Sequence, residues 1–352
     1  YKPAASYAAD GFPVSPGIAF DWAKGGIPNK DNPGFADAFL PNGQAPAPGE
    51  SFSLPAQAET LQSIAESKGE SFYRGDIAEK IVAFSKKCGG VMTEDDLASH
   101  KSNWVDPITM DFAGLTLHEL PPNGQGLAAL SALGILKNTS IKSKEVDSTD
   151  YLHLQIESMK LAFADTYAHV ADPKSMVVSC DNLLNPSYLS NLAKKINLDS
   201  ASQPLCELNR KGGTVYLTSA DSNGMMVSLI HSLYHGFGSG FVVPGTGIAL
   251  QNRGAGFTLE PGHPNQVAPC KLPFHTIIPA FITRNGQPLV SYGVMGGDMQ
   301  AQGHLQFITR LALFNQNPQA VLDAPRFKVL NNREVCLEKN FPIRIVSDLE
   351  TR

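Results

Sequence analysis

The stretch Lys211-Gly212-Gly213-Thr214 sets a hydroxyl on a β-branched residue directly behind two glycines, at the head of the run TVYLTSAD. Two readings fit. Glycine pairs commonly turn the chain into a strand, and Thr214 is then only the strand's first residue. Alternatively the chain is cut before Thr214, whose hydroxyl becomes a nucleophile. The new α-amine, with a reference pKa of about 7.7–8.0, would be its base. Gly212 and Gly213 would permit the strained backbone from which the hydroxyl attacks the preceding carbonyl. A second glycine pair, Gly296-Gly297, follows the run PLVSYGVM, a place where backbone N–H groups can point at an anion. Together these supply a nucleophile and an oxyanion hole, which amide hydrolysis needs. Composition alone favours the plainer turn-to-strand reading.

Other constellations carry less. His231 and His235 in HSLYH sit four apart without the glutamate of a zinc helix, and the local pattern is strand-like. In a strand that spacing is about 13 Å, too far for one metal. The glycine-rich HGFGSGFVVPGTG lacks dinucleotide spacing before a helix, and no G-x-S-x-G elbow occurs. Asp95-Asp96 reads as a solvated helix start, where carboxylates favour the dipole. A net charge of −5 without a basic cluster gives nucleic acid no electrostatic foothold. No apolar run approaches the roughly 18–20 residues that a membrane span needs. Cys88, Cys180, Cys206, Cys270 and Cys336 are scattered without CxxC spacing and read as reduced thiols, which leans towards cytoplasm. The opening YKPAASYAADGFPV has neither an initiator methionine nor a signal-peptide pattern, so the compartment stays open.

The elements that would position these groups follow from pattern. At 352 residues, 42% hydrophobic and 17% charged, the chain can bury a large core. Its first 55 residues, rich in Pro, Gly and Asn, read as loops. In YRGDIAEKIVAFSKKCGG, Ile77, Ile81 and Phe84 share a helix face, Asp76 with Glu79 resembles a capping box, and Gly89 is a stop. The strongest helix lies in TDYLHLQIESMKLAFADTYAHVADP, with Leu152, Ile156, Met159, Phe163 and Tyr167 as one stripe and Pro173 ending it. NGQGLAALSALGIL continues as a nearly all-apolar, buried helix. Beyond residue 212, TVYLTSAD, MMVSLIHSLY, GIALQN, TIIPAFITR and PLVSYGVM are strand runs, with turns at Ser222-Asn223-Gly224 and Asn285-Gly286 and a late helix in GHLQFITRLALFNQ. Helices followed by strands predict one layered α+β body.

The ordered blocks FYRGDIAEKIV, GGVMTEDDL, LPPNGQG, ESMKLAFADTYAHVADP, GTVYLTSADSNGMMVSLIHSLYHGFGSG, GIALQN, YGVMGGD and LDAPRF resemble the γ-glutamyltranspeptidase family of N-terminal-nucleophile hydrolases over roughly residues 30–340. The resemblance implies a four-layer αββα sandwich and a precursor that cleaves itself before Thr214. Residues 1–213 would be a mainly helical large-subunit portion and 214–352 a strand-rich small-subunit portion, together one domain and incomplete at both ends. It implies Thr214 as nucleophile and Gly296 and Gly297 as the oxyanion hole. Ser232 falls where the family has a threonine that supports the nucleophile, and Thr218 where the motif has a serine.

Departures from the family bear on substrate. The stretch that carries an acid for the α-ammonium is here QNRGAGF, with Arg253 and no carboxylate. The paired serines for the α-carboxylate become His275-Thr276, and a donor-site asparagine becomes Tyr234. A pocket that loses an acid and gains an arginine should take an acyl group ending in carboxylate, unless Arg253 is an ordinary surface residue. The resemblance is thus to the acylase-like and oxamate-amidohydrolase-like branch. The expected function is a cofactor-free amidohydrolase or acyltransferase that acts on a γ-glutamyl or other carboxylate-bearing amide through an acyl-enzyme on Thr214. Its protein partner would be its own cleaved subunit. The rivals are a glutaryl/cephalosporin-type acylase or oxamate amidohydrolase, and a processing-incompetent, silent fragment.

Overall fold

The computed structural model describes residues 1–204 and 213–352. Gly212 and Cys206 lie outside the described residues. The described chain forms two compact units, Tyr1–Trp104 with His235–Asn252, and Val105–Tyr234 with Arg253–Arg352. The 213/214 boundary expected from the sequence does not divide the two units; it falls inside the second one.

In the first unit the leading segment is not the run of loops that its prolines suggested. Helices span Lys2–Asp10, Pro16–Gly26 and Phe35–Phe39. Proline is tolerated in a first helical turn, where its missing N–H would be unpaired anyway. Pro16 opens its helix in that way, behind Ser15, whose hydroxyl accepts from Ile18 N at 3.4 Å. Aromatic packing then anchors the segment. Trp22 meets Phe52, Phe237 and Phe39 at centroid separations of 4.7, 5.8 and 6.1 Å, mostly edge-on.

The Asp76–Lys87 helix buries Ile77, Ile81 and Phe84 beside Val243, as its apolar spacing predicts. The expected capping box is absent there. Gly75 occupies the N-cap, and Asp76 instead lies 3.5 Å from Lys80. The box belongs to the next helix, Glu94–Ala98, where Thr93 Oγ1 accepts from Asp96 N and Asp96 Oδ2 accepts from Thr93 N. The Asp95-Asp96 pair therefore does sit at a helix start.

The second unit is built on an antiparallel sheet in the order Gln287–Tyr292, Ala280–Arg284, Leu115–Glu119, Ile108–Phe112. Leu117 pairs with Ile282 and with Met110, and the buried side chains Leu117, Ala280 and Ile282 alternate with His118, Phe281 and Thr283. Against the apolar side lie the helices Gly126–Lys137, Thr149–His169 and Met299–Phe314, which share one core with it. Every residue from Gly126 to Leu136 is buried. The Thr149–His169 helix is buried well beyond a single stripe. Its polar Glu157 and Lys160 pair with each other, and Ser202 N donates to Glu157 at 2.9 Å. It ends at His169, before Pro173.

The later strands fall where the period-two runs predict them, at Gly213–Ala220, Met226–Tyr234, Ala280–Arg284 and Gln287–Tyr292. The hairpin Ile108–Phe112/Leu115–Glu119 was not anticipated. Its turn, Ala113-Gly114, takes φ of 48° and 83°, the left-handed pair that a two-residue hairpin requires. Among the described residues no helix is long and apolar enough to cross a membrane.

Candidate active site

The chemistry anticipated at Thr214 centres on a defect in one hairpin. Strands Gly213–Ala220 and Met226–Tyr234 pair Thr214 with Ser232 but Gly213 with Tyr234, so the ladder slips by one residue between Gly213 and Thr214. Such a bulge re-aims side chains. Tyr234, at its edge, adopts φ 79°, uncommon for a residue with a side chain.

Ser232 Oγ sits at this slip. It donates to the Gly213 carbonyl at 2.7 Å, and it accepts from Thr214 Oγ1 at 3.3 Å and Tyr234 N at 2.9 Å. One donor and two acceptor sites are all a hydroxyl has, and all are used. The Gly213 carbonyl is the group that Thr214 would attack in self-cleavage. Ser232 therefore draws electron density from that carbonyl oxygen while holding the Thr214 hydroxyl.

The second glycine pair lies between the Gln287–Tyr292 strand and the Met299–Phe314 helix. Gly296 and Gly297 take φ of 115° and 63°, which glycine adopts without a Cβ penalty. Their carbonyls accept from Met299 N at 3.2 Å and Gln300 N at 3.1 Å. Among the described residues neither glycine's N–H has an acceptor. The hairpin runs alongside this segment. Thr218 Oγ1 lies 2.7 Å from Ser291 Oγ, and Tyr216 lies against Gly293. A further two-residue step in each direction carries Thr214 towards the Met295–Gly297 turn. Thr218 itself is exposed, bonded to Ser291, and a strand spacing of about 13 Å separates it from Thr214. It does not join the group.

Tyr234, Arg253, His275 and Thr276 do come together. Arg253 is 8% exposed, which removes its reading as a surface residue. Its Nη1 donates to Thr276 Oγ1 at 3.1 Å, and its Cζ lies 4.5 Å from the centre of the Tyr234 ring, a cation–π contact. His275 Nδ1 is buried without a hydrogen-bond partner among the described residues. Burial, helped by the Arg253 charge, lowers the His275 pKa to about 4, so the ring is neutral near pH 7.

Two residues of the site had escaped the reading of the sequence. Tyr167 donates to Asp298 Oδ1 at 2.5 Å, beside the glycine pair. Gln125, from the LPPNGQG block, is fully buried and donates to the carbonyls of Thr276 and Gly297. The block was visible; the direction of its side chain was not. Of the two histidines in HSLYH, His231 lies exposed on a strand and His235 Nδ1 pairs with Asn252 Nδ2 at 2.8 Å. Among the described residues no group of three or more His, Cys, Asp or Glu side chains could hold a metal ion.

The sequence model for gamma-glutamyltranspeptidase matches residues 1–352. The chain belongs to the γ-glutamyltranspeptidase family. Within it, the chain is 36% identical over 329 residues to the glutathione hydrolase-like YwrD proenzyme of Bacillus subtilis (strain 168), covering 93% of this chain and 62% of that protein. It is 39% identical over 324 residues to the oxamate amidohydrolase proenzyme of Klebsiella pneumoniae subsp. pneumoniae, covering 92% and 61%. The crystal structure of cephalosporin acylase from Bacillus halodurans superposes with a TM-score of 0.92 at 45% identity, over 99% of this chain and 65% of that one. The chain thus spans about three fifths of the length of these curated relatives. The mixture of helix and sheet expected from the sequence is present, and its structural neighbour is an acylase of the same kind of fold.

Proposed function

We propose that this chain carries the catalytic centre of a self-cleaving amidohydrolase, in an N-terminal-nucleophile αββα sandwich, with Thr214 as nucleophile. The observation that carries the reading is the Ser232 hydroxyl, bonded at once to the Gly213 carbonyl and to Thr214 Oγ1. Thr214 Oγ adds to the Gly213 carbonyl carbon, and collapse of the adduct breaks the Gly213–Thr214 C–N bond to leave an ester. That C–N cleavage frees the Thr214 α-amine, and water then hydrolyses the ester to the Gly213 carboxylate and the free Thr214 hydroxyl; the amine, whose reference pKa is about 7.7–8.0, serves as base. The same hydroxyl then attacks a substrate amide. Gly296 and Gly297 N–H groups receive the oxyanion, an amine leaves, and water releases the acid from the acyl-enzyme. No cofactor enters these steps.

For the substrate, Arg253 supports an acyl group that ends in a carboxylate. The relatives' names fit this, since oxamate carries a carboxylate directly on its amide carbon. The partner in this reading is the chain's own cleaved portion, with 1–213 and 214–352 as the two pieces.

The test is a mass spectrum of wild type and Thr214 variants together with an amide-hydrolysis assay. Wild type should yield a piece beginning TVYLTSAD. Thr214→Ala should stay whole and inactive, while Thr214→Ser, which keeps the hydroxyl, should still process. Normal cleavage in Thr214→Ala would overturn the assignment.

A further inference from the structure

Glycines that form an oxyanion hole face a physical difficulty. With no Cβ, their peptides rotate at little cost, yet an oxyanion donor is effective only when fixed before the reaction. Met299 N holds the Gly296 carbonyl from within the turn at 3.2 Å, and a hold from outside would tie the turn to the rest of the site.

The Gly297 carbonyl accepts from two donors, Gln300 N at 3.1 Å and Gln125 Nε2 at 2.9 Å. The second hydrogen of the same Nε2 goes to the Thr276 carbonyl at 2.7 Å. Thr276 is also the residue whose hydroxyl accepts from Arg253 Nη1 at 3.1 Å. One amide group therefore joins the glycine turn to the Thr276 segment, whose side chain is bonded to the proposed acyl-group anchor Arg253. Its base is firm. Gln125 N donates to the His275 carbonyl at 3.1 Å, and the next residue begins the Gly126–Lys137 helix, buried from Gly126 to Leu136. The amide cannot be reversed without setting Oε1 against two carbonyl oxygens. Oε1 itself has no partner among the described residues, so the contact with both carbonyls rests on the donor end alone.

Resting on the hydrolase reading above, we propose that Gln125 is a positioning residue. It fixes the Gly297–Asp298 peptide relative to Thr276 and Arg253, and through the Gly297 Cα that this peptide shares with the preceding one it limits rotation of the Gly297 N–H, so that the grip on the acyl carboxylate is transmitted to the oxyanion donors. Gln125 touches no reacting atom and acts through Gly297. Its loss should displace a donor rather than delete it. The effect on kcat should then be roughly 10- to 100-fold, below the 10²–10³-fold typical of removing a donor outright.

The experiment uses Gln125→Met in the full chain, which keeps length and volume but has no N–H. The concentration of competent sites is titrated by the acyl-enzyme burst, and kcat per titrated site and KM are measured with a glutaryl amide. The expected result is a 10- to 100-fold lower kcat per site with KM within about threefold of wild type. A merely structural role would lower the titratable fraction and leave kcat per site unchanged, and that outcome overturns the proposal. Should Gln125→Met not fold, Gln125→Asn withdraws the same –NH₂ by one methylene and carries the same readout. A cycle with Arg253→Ala tests the transmission. The two losses in kcat should combine to less than their product, and a full product overturns it. Wild type that forms no acyl-enzyme with any amide would overturn the hydrolase reading instead, so the two failures are distinguishable.

Discussion

Replacing Ser232 by alanine should slow self-cleavage without removing the nucleophile. The hydroxyl makes three hydrogen bonds, to the Gly213 carbonyl, from Thr214 Oγ1 and from Tyr234 N. Two consequences differ in size. The bonds to Thr214 and Tyr234 are ordinary ones, worth about 0.5–1.5 kcal/mol each, and their loss lowers stability modestly. The bond to Gly213 strengthens as negative charge builds on that carbonyl oxygen. Losing such a donor typically costs about 2.7–4 kcal/mol in the transition state, or 10²–10³ in rate. Ser232→Ala should therefore cleave about 10²–10³-fold more slowly, whereas Ser232→Thr, which keeps the hydroxyl, should stay within about tenfold of wild type. Precursor and pieces are quantified on denaturing gels over time, with the N-terminus of the smaller piece read by mass spectrometry. Cleavage of Ser232→Ala at the wild-type rate would refute the reasoning. So would a Ser232→Thr variant as slow as alanine.

Two further outcomes follow from the Tyr234–Arg253–His275–Thr276 cluster. Arg253→Ala should weaken glutaryl and γ-glutamyl amides together by about 10–150-fold in kcat/KM, the worth of a charge-assisted hydrogen bond, while self-cleavage continues. Removing the α-amino group from a γ-glutamyl amide should cost wild type little, and a strong γ-glutamyl preference that survives in Arg253→Ala would contradict the assignment. His275 gives a pH signature. Its folded pKa of about 4 lies below the ordinary 6.5, so the unfolded chain binds the extra proton between those values. The His275 contribution is complete above pH 6.5 and is lost as pH falls towards 4. At about 1.4 kcal/mol per pH unit it amounts to roughly 3 kcal/mol. Urea midpoints of wild type should fall more than those of His275→Gln between pH 7.5 and 4.5; parallel profiles would rule the contribution out.

How far the sequence spoke depended on whether a feature is local. Period-two runs located the Gly213–Ala220 and Met226–Tyr234 strands, and apolar spacing located the Asp76–Lys87 helix, because both patterns reside in neighbouring residues. Local signals failed where two mechanisms share one residue type. The prolines near the start read as breakers yet stand in first helical turns, since a proline ring suits both places. At Asp76 the spacing of a capping box was present, but Gly75 took the cap and no hydroxyl was there to complete it. The Ile108–Phe112/Leu115–Glu119 hairpin left a fair trace in its alternation and its Ala-Gly turn. Thr149–His169 is buried around most of its circumference because Glu157 and Lys160 neutralise each other, a pairing that a hydrophobic stripe does not register.

This buried cluster was the least legible part, because its members come from separate segments. Tyr234 ends a strand, Arg253 opens a short helical turn, His275 and Thr276 precede another strand, and Gln125 leads into a helix. Reading each as a departure from the family pattern gave a list; only the contacts turn the list into a charge distribution. Among Tyr234, Arg253, His275 and Thr276, the arginine holds the one charge near pH 7, because burial and that same arginine keep His275 neutral. A protonated His275 would set a second buried positive charge beside Arg253. In the proposed reading, Arg253 supplies the cation that an acyl carboxylate would meet. An acyl group that also brought an α-ammonium would set a second positive charge near Arg253. That asymmetry is the physical ground for preferring a carboxylate-terminated acyl group over an α-amino acid at this site.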